Sequence, residues 1–368
     1  YAVLRPGDAG VAALGAAPLL ELLVRHGHLG VDLFFLLSGF LRGLPWLLRE
    51  RARAPAPSTR AFYLRRIRRL APAFYVQLAV LFLVVAPLAR GWDYGLRDPL
   101  GVGLNLGAHV AFLHHLLPLS SGSLGLNGAL WSLGVEANFY LLLPLLAPLA
   151  ARRPLAATVA AFAIAAWWRA GAREGFEPLV AATMALGSHW SWPEPVVRHV
   201  LATQLPAYLG HFALGMLLGH GWLAWRARGF ALARPLAFAG GVLSLAAIAA
   251  LLAHAPDAGG QLWLVLCAAL GVALLSAAAA RGAIAAHLLA AGPLAFLGRI
   301  SYSAYLYHLP VLVLWNLYLP AHAATLPLYL GIVVTVSWLS WRFVETNHWG
   351  RTPIKFLRGS RRITEIGV

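Results

Sequence analysis

The sequence predicts an all-α membrane protein, a polytopic helix bundle, and three observations carry that prediction. Of its 368 residues 60% are hydrophobic and only 11% charged, with a mean hydropathy of +0.71, whereas soluble domains carry roughly 25% charged residues. Apolar runs long enough to cross a hydrocarbon core recur along the chain, and arginines gather between them. The net charge of +16 would suggest a nucleic-acid surface in a soluble protein. In a membrane protein it reads as an orientation signal, so no nucleic-acid partner is expected.

A core about 30 Å thick needs roughly 20 helical residues at about 1.5 Å each. Such runs lie near residues 29 to 48, 70 to 90, 131 to 150, 154 to 170, 204 to 225, 235 to 254, 261 to 280, 293 to 318 and 325 to 344, which makes nine spans. The run from Leu100 to Leu119 is interrupted by Asn105, His109, His114, His115 and Pro118, and reads as a re-entrant or interfacial segment. Between Arg49 and Arg69 stand eight arginines and one glutamate, which places that linker in the cytoplasm. If residues 100–119 do not cross, Arg152 and Arg153, Arg226 to Arg234, Arg281, Arg299 and the tail from Arg342 to Arg362 fall on the same side. The expectation is therefore a multi-pass protein of the bacterial inner membrane with a cytoplasmic C-terminus. Residues 1 to 27 then lie outside, and one further helix before Tyr1 would reconcile that start with the topology, making ten spans in the intact protein. Residues 1–368 read as a single integral-membrane domain lacking its first helix, with no appended soluble domain and no internal repeat. Cys267 is the only cysteine, which excludes an intrachain disulfide and any multi-thiolate metal centre.

An ionisable group at mid-membrane costs about 2.5–3.5 kcal/mol on insertion scales, so each one needs a reason. Glu136, in WSLGVEANFY, is the only formal charge between Asp98 and Arg152. It is either a carboxyl hydrogen-bonded to a neighbouring helix or a buried carboxylate that handles protons in catalysis, with Trp131, Phe139 and Tyr140 shaping a pocket around it. Asp32 lies near the outer end of its span, where a helix N-terminus alone favours a carboxylate. Ser38 and Gly39, farther along, permit close helix approach. His308 sits halfway along its run, and Tyr302, Tyr305 and His308 recur close to one helix face, suited either to interhelical hydrogen bonding or to the wall of a polar cavity. Arg66 and Arg69, three apart at the start of a span, either orient the protein and meet lipid headgroups or clamp the phosphates of an anion such as coenzyme A.

Other constellations fail. The His114–His115 pair lacks carboxylate or thiolate partners at metal spacing, so no metal site is expected. No phosphate-binding loop, dinucleotide fingerprint or nucleophile elbow is present.

Four segments together resemble the acyltransferase 3 family of bacterial integral-membrane O-acyltransferases. They are Gly30-Val31-Asp32-Leu33-Phe34-Phe35 through Ser38-Gly39-Phe40; Arg66-x-x-Arg69-x-x-Pro72; Trp131-Ser132-Leu133 through Glu136 and Phe139-Tyr140 to Pro144; and Gly298-x-x-Ser301-Tyr302 through Tyr305-Leu306 to His308 and Pro310. Val344-Glu345 is similar to the family's closing Glu-x-Pro, with Asn347 in place of the proline. The resemblance implies transfer of an acyl group, often acetyl from acetyl-CoA, to a hydroxyl of a carbohydrate or glycosylated acceptor. Acyl-CoA is then a co-substrate and no cofactor is bound. Carried over by motif, Glu136, Asp32 and His308 are the candidate catalytic residues, Arg66, Arg69 and Glu345 the candidate acyl-CoA contacts, and Ser38, Trp131, Tyr140, Ser301, Tyr302 and Tyr305 the candidate pocket. The family's presumed catalytic histidine ends its first helix, which here would lie just upstream of Tyr1; His26 and His28 stand too close to Asp32 to be that residue. The competing class is a proton-coupled transporter or lipid-handling protein using the buried Glu and His as a relay. Inverted repeats and matched broken helices would support it, and the sequence displays neither.

Overall fold

The computed structural model describes residues 29–53, 55, 57–227, 292–319 and 325–346. Among these residues all regular structure is helical. The main helices are α1 (Leu29–Ala52), α2 (Thr59–Arg90), α3 (Pro99–Val110), α4 (Trp131–Arg152), α5 (Pro154–Glu174), α6 (Glu177–Leu186), α7 (Glu194–Ala202), α8 (Leu209–Ala227), α9 (Gly292–Tyr318) and α10 (Leu326–Ser340). A π-turn, Trp341–Glu345, extends α10, and another, Leu81–Val85, interrupts α2.

Among the described residues five helices are long and apolar enough to cross a membrane, namely α1, α2, α4, α5 and α10 with its extension. A sixth span arises if α7 and the helix beginning at Leu205, which meet at 49°, count as one. The expected count of nine is thus reached only in part. The expected spans at 235–254 and 261–280 lie outside the described residues. Helix α9 forms as expected, over 27 residues, but is not among the five, and it carries Arg299, two serines, three tyrosines and His308 between residues 299 and 308. The run at 100–119 does not form a spanning helix. Its longest piece, α3, has 12 residues, about 18 Å at 1.5 Å per residue.

Local chemistry sets these boundaries. Ser58 accepts a hydrogen bond from Ala61 N at 3.2 Å and caps α2. Asp98 accepts from Gly101 N at 2.8 Å and caps α3, with Pro99 in the first turn. Pro154 opens α5 immediately after α4 stops at Arg152, turning the chain back. Helix α2 runs 32 residues, about 48 Å, so it outreaches a 30 Å core and carries Arg65, Arg66, Arg68 and Arg69 on a helical surface rather than in a loop.

Helices α1 and α8 cross closely. A β-carbon on Gly39 would collide with the Phe212 backbone, and one on Gly215 with Leu36 O and Phe40 N. Only glycine on both sides permits this approach. Phe35, Phe139, Tyr140, Leu143, Phe212 and Met216 pack into one core between α1, α4 and α8, with the rings of Phe139 and Phe212 stacked at 3.8 Å. A second core joins α2, α9 and the start of α4 through Phe74, Leu81, Leu130, Leu133 and Leu306. Helix α4 belongs to both, and Glu136 lies on it where the two cores meet.

The segment between α3 and α4 is fixed by buried histidines. His109 and His114 stack at 4.3 Å. His109 bonds Asn105 O and Ser123 Oγ, both at 2.7 Å, and His114 Nε2 bonds Leu130 O at 2.8 Å. Burial and the neighbouring His114 push His109 down to about 3, burial pushes His114 down to about 4, and burial with His114 pushes His115 down to about 3. Neutral imidazoles therefore tie this segment to the start of α4.

Candidate active site

Glu136 is buried, with 3% of its surface exposed. Ser38 Oγ on α1 donates to its Oε1 at 2.8 Å, and the Tyr140 hydroxyl, one turn along α4, donates to the same oxygen. Two cations stand behind Tyr140. Arg42 Nε donates to the Tyr140 hydroxyl oxygen at 3.4 Å, and the guanidiniums of Arg42 and Arg66 each lie 5.9 Å from the centre of its ring. Tyr140 thus links both guanidiniums to the Glu136 carboxylate. Arg66 also rides on Phe62, and its Nε is buried without a hydrogen-bond partner among the described residues. Three spans thus meet at one carboxylate, which a single helix could not hold in place.

The second arginine of the motif faces elsewhere. Arg69 Nη1 lies 3.6 Å from Glu345 Oε2. Glu345 Oε1 accepts from Ser303 Oγ at 2.6 Å, and Tyr302 donates to Leu70 O at 2.9 Å. Arg66 and Arg69 therefore face different partners, Tyr140 and Glu345, rather than turning to one common point. The serine that holds Glu345 is Ser303; Ser301 is exposed and donates to Gly298 O in its own helix at 2.9 Å.

Helix α9 docks on the start of α4 through polar contacts. Tyr305 donates to Ala129 O and pairs with Ser132 Oγ at 2.6 Å, and Asn127 Nδ2 donates to Leu306 O at 3.0 Å. His308 Nδ1 is bonded back to Tyr305 O at 2.8 Å and Ala304 O at 3.1 Å, and its carbonyl accepts from Tyr329. These contacts hold Nδ1 against the carbonyls of its own helix.

Asp32 has a partner that sequence reasoning missed. His211 Nε2 on α8 lies 2.7 Å from Asp32 Oδ1. Trp131 stands nearby, its ring 6.1 Å from Phe35 and 5.4 Å from Tyr208. Arg42, His211 and Ser303 were each visible as polar residues in apolar helices, and the rule that such residues need a partner is the signal that could have found them.

Spans of this length enclosing a buried carboxylate, tethered by hydroxyls and backed by arginines, define a multi-pass membrane protein built for polar chemistry inside its bundle. The chain belongs to the acyltransferase 3 family, an enzyme class transferring acyl groups other than aminoacyl groups: the family model, described as an acyltransferase domain, matches residues 6–342. It is 26% identical to YrhL of Bacillus subtilis, provisionally named a peptidoglycan O-acetyltransferase, over 91% of this chain and 54% of that protein. It is 27% identical to BcsY of Komagataeibacter xylinus, provisionally named a membrane-bound transacylase, over 88% of this chain and 76% of that protein. Over a third of the chain it is 32% identical to OatA of Listeria monocytogenes, named a peptidoglycan O-acetyltransferase, covering 20% of that protein. The chain therefore spans about half the length of YrhL. No solved structure is significantly similar to it.

Proposed function

We propose that the chain is a membrane O-acyltransferase that moves an acyl group, acetyl in the simplest case, from acyl-CoA to a hydroxyl of a carbohydrate such as peptidoglycan or another cell-surface polysaccharide. The observation that carries this reading is the convergence of motif residues from three spans on Glu136. Both hydroxyl donors approach Oε1, so Oε2 is the oxygen offered to a reacting hydroxyl.

The arginine-bearing end of α2 takes the donor. Positively charged loops favour the cytoplasm, where acyl-CoA is found, and in this reading the C-terminus lies on the same side of a bacterial inner membrane. Arg69 meets a phosphate of the donor, and Arg66, with an unpartnered buried Nε, meets the arm as it enters the bundle. The acceptor hydroxyl attacks the thioester carbonyl. An ester C–O bond forms, the C–S bond breaks, and the hydroxyl proton passes to Glu136 and from there to the departing thiolate. Arg42 and Arg66 oppose the negative charge that develops on the carbonyl oxygen.

Sealed membrane vesicles test the sidedness. With radiolabelled acetyl-CoA supplied only at the face bearing Arg65–Arg69, label is expected on carbohydrate recovered from the opposite face. Transfer that requires acetyl-CoA at the opposite face would refute this arrangement.

A further inference from the structure

At the end of the bundle opposite the arginine-bearing turn of α2, four elements bring polar and aromatic groups into one partly exposed cluster. Asp32 lies in the first turn of α1, Trp131 opens α4, Arg169 lies near the end of α5, and Tyr208 and His211 stand at the start of α8. Chain direction puts all of them at the same end, since α1, α4 and α8 run one way and α5 runs back.

These residues form a layered arrangement. His211 is 2% exposed and donates from Nε2 to Asp32 Oδ1, while the Asp32 side chain keeps 23% of its surface open. Phe35, fully buried, supports Trp131 and Tyr208 from behind, with ring centres 6.1 and 4.9 Å away. The rings of Trp131 and Tyr208 are tilted 37° to each other. The Arg169 guanidinium sits 5.3 Å from the Tyr208 ring centre. Asp32, Trp131, Tyr208 and Arg169 are each partly exposed.

A pyranose ring presents an apolar C–H face and a rim of hydroxyls. An aromatic ring accepts the face, and a fixed carboxylate and guanidinium accept and donate to the rim. Glu136 follows Trp131 by five residues on α4, about 7.5 Å farther along the axis and about 140° round it, and both meet α1, where Phe35 against Trp131 and Ser38 bonded to Glu136 stand about one turn apart. A sugar ring resting on Trp131 can therefore direct one hydroxyl toward Glu136. We propose that this cluster is the acceptor subsite and binds one pyranose ring, with His211 as a positioning residue that holds Asp32 for a sugar hydroxyl; the assignment rests on the acyl-transfer reading of Glu136.

The test uses the full chain in detergent with the methyl glycoside of N-acetylglucosamine as probe. Saturation-transfer NMR is expected to detect the sugar on the wild-type protein and on Trp131→Phe, and to lose it in Trp131→Ala. In steady-state kinetics Trp131→Ala is expected to raise KM for the glycoside about tenfold while KM for acetyl-CoA stays within about twofold. His211→Gln, which keeps an N–H donor, should retain most of the turnover that His211→Leu loses, at an unchanged KM for acetyl-CoA. Absence of the sugar signal on the wild-type protein, an unchanged signal in Trp131→Ala, or equal losses in His211→Gln and His211→Leu would overturn the proposal. Sugar binding by a wild-type protein that transfers no acyl group would uphold the subsite and refute the acyl-transfer reading instead.

Discussion

Ser38 on α1 donates to Glu136 on α4 at 2.8 Å, joining two motifs that lie 98 residues apart in the chain. The bond explains why a serine stands beside Gly39 in an otherwise apolar helix. Gly39 brings α8 close on one side of α1, and Ser38 reaches α4 on another. Helix packing and carboxylate geometry are therefore set by adjacent residues.

Ser38→Ala and Tyr140→Phe each remove one hydroxyl from Oε1 of Glu136. A hydrogen bond to a charged group is worth about 1.5–3 kcal/mol, so each variant is expected to lower kcat by about tenfold to a hundredfold. Tyr140→Phe should show the larger loss, because Tyr140 also carries Arg42. Steady-state assays with saturating acyl-CoA measure both. Unchanged kcat in both variants would separate this network from catalysis.

Arg69 is half exposed and Glu345 is nearly buried, at 52% and 3% of their side-chain surfaces. If Arg69 grips a donor phosphate, Arg69→Ala should raise KM for acyl-CoA about tenfold, the loss of one charge-assisted contact. Glu345→Gln keeps a partner for Ser303 but releases Arg69 from its ion pair, so KM for acyl-CoA should stay level or fall. A rise of equal size in both variants would mean that the pair acts only as a structural tie.

The close crossing of α1 and α8 can be tested without an assay of activity. Gly215→Val inserts carbon atoms where Leu36 O and Phe40 N already stand, and overpacking of this kind costs about 1–3 kcal/mol. Gly331→Ala on α10 places its methyl group where nothing lies within 4 Å and serves as the control. Thermal unfolding in detergent should show a lower midpoint for the first and none for the second. Equal midpoints would mean that α1 and α8 are not in this contact.

The histidines before α4 give a pH dependence with a definite sign. His109, His114 and His115 have folded values of about 3, 4 and 3, all below the ordinary 6.5. A depressed histidine favours the folded state in its neutral form, so its stability is fully present above about pH 6.5 and is lost as pH falls toward 4 and 3. The unfolding midpoint should drop through that window, and His109→Gln should make the drop shallower. A variant with the same acid slope as the wild type would remove these histidines from the account.

Much of this was legible from residues alone. Spans rich in leucine and alanine announce themselves because lipid tolerates little else, and Glu136 stood out as a lone charge in such a run. What one dimension concealed was pairing across helices. The Asp32–His211 contact joins residues 179 positions apart, and no periodicity within α1 or α8 encodes it. The separation of Arg66 from Arg69 was hidden for a related reason. Residues three apart share a face of an isolated helix, but α4 draws Arg66 to Tyr140 while the turn after α10 draws Arg69 to Glu345. Likewise Ser303, not Ser301, meets Glu345, because the rotation of α9 is set by Leu306 and Tyr307 in the core.

The most direct measurement is acyl transfer by Glu136→Gln in membranes, with acyl-CoA and a polysaccharide acceptor. Glutamine keeps the size of the side chain and an oxygen for Ser38 and Tyr140, but it cannot hold the proton. A proton-handling carboxylate contributes about a hundredfold to ten-thousandfold to rate. The variant should therefore insert and unfold like the wild type while its turnover falls by that factor. Full turnover in Glu136→Gln would contradict the catalytic role on which the account rests.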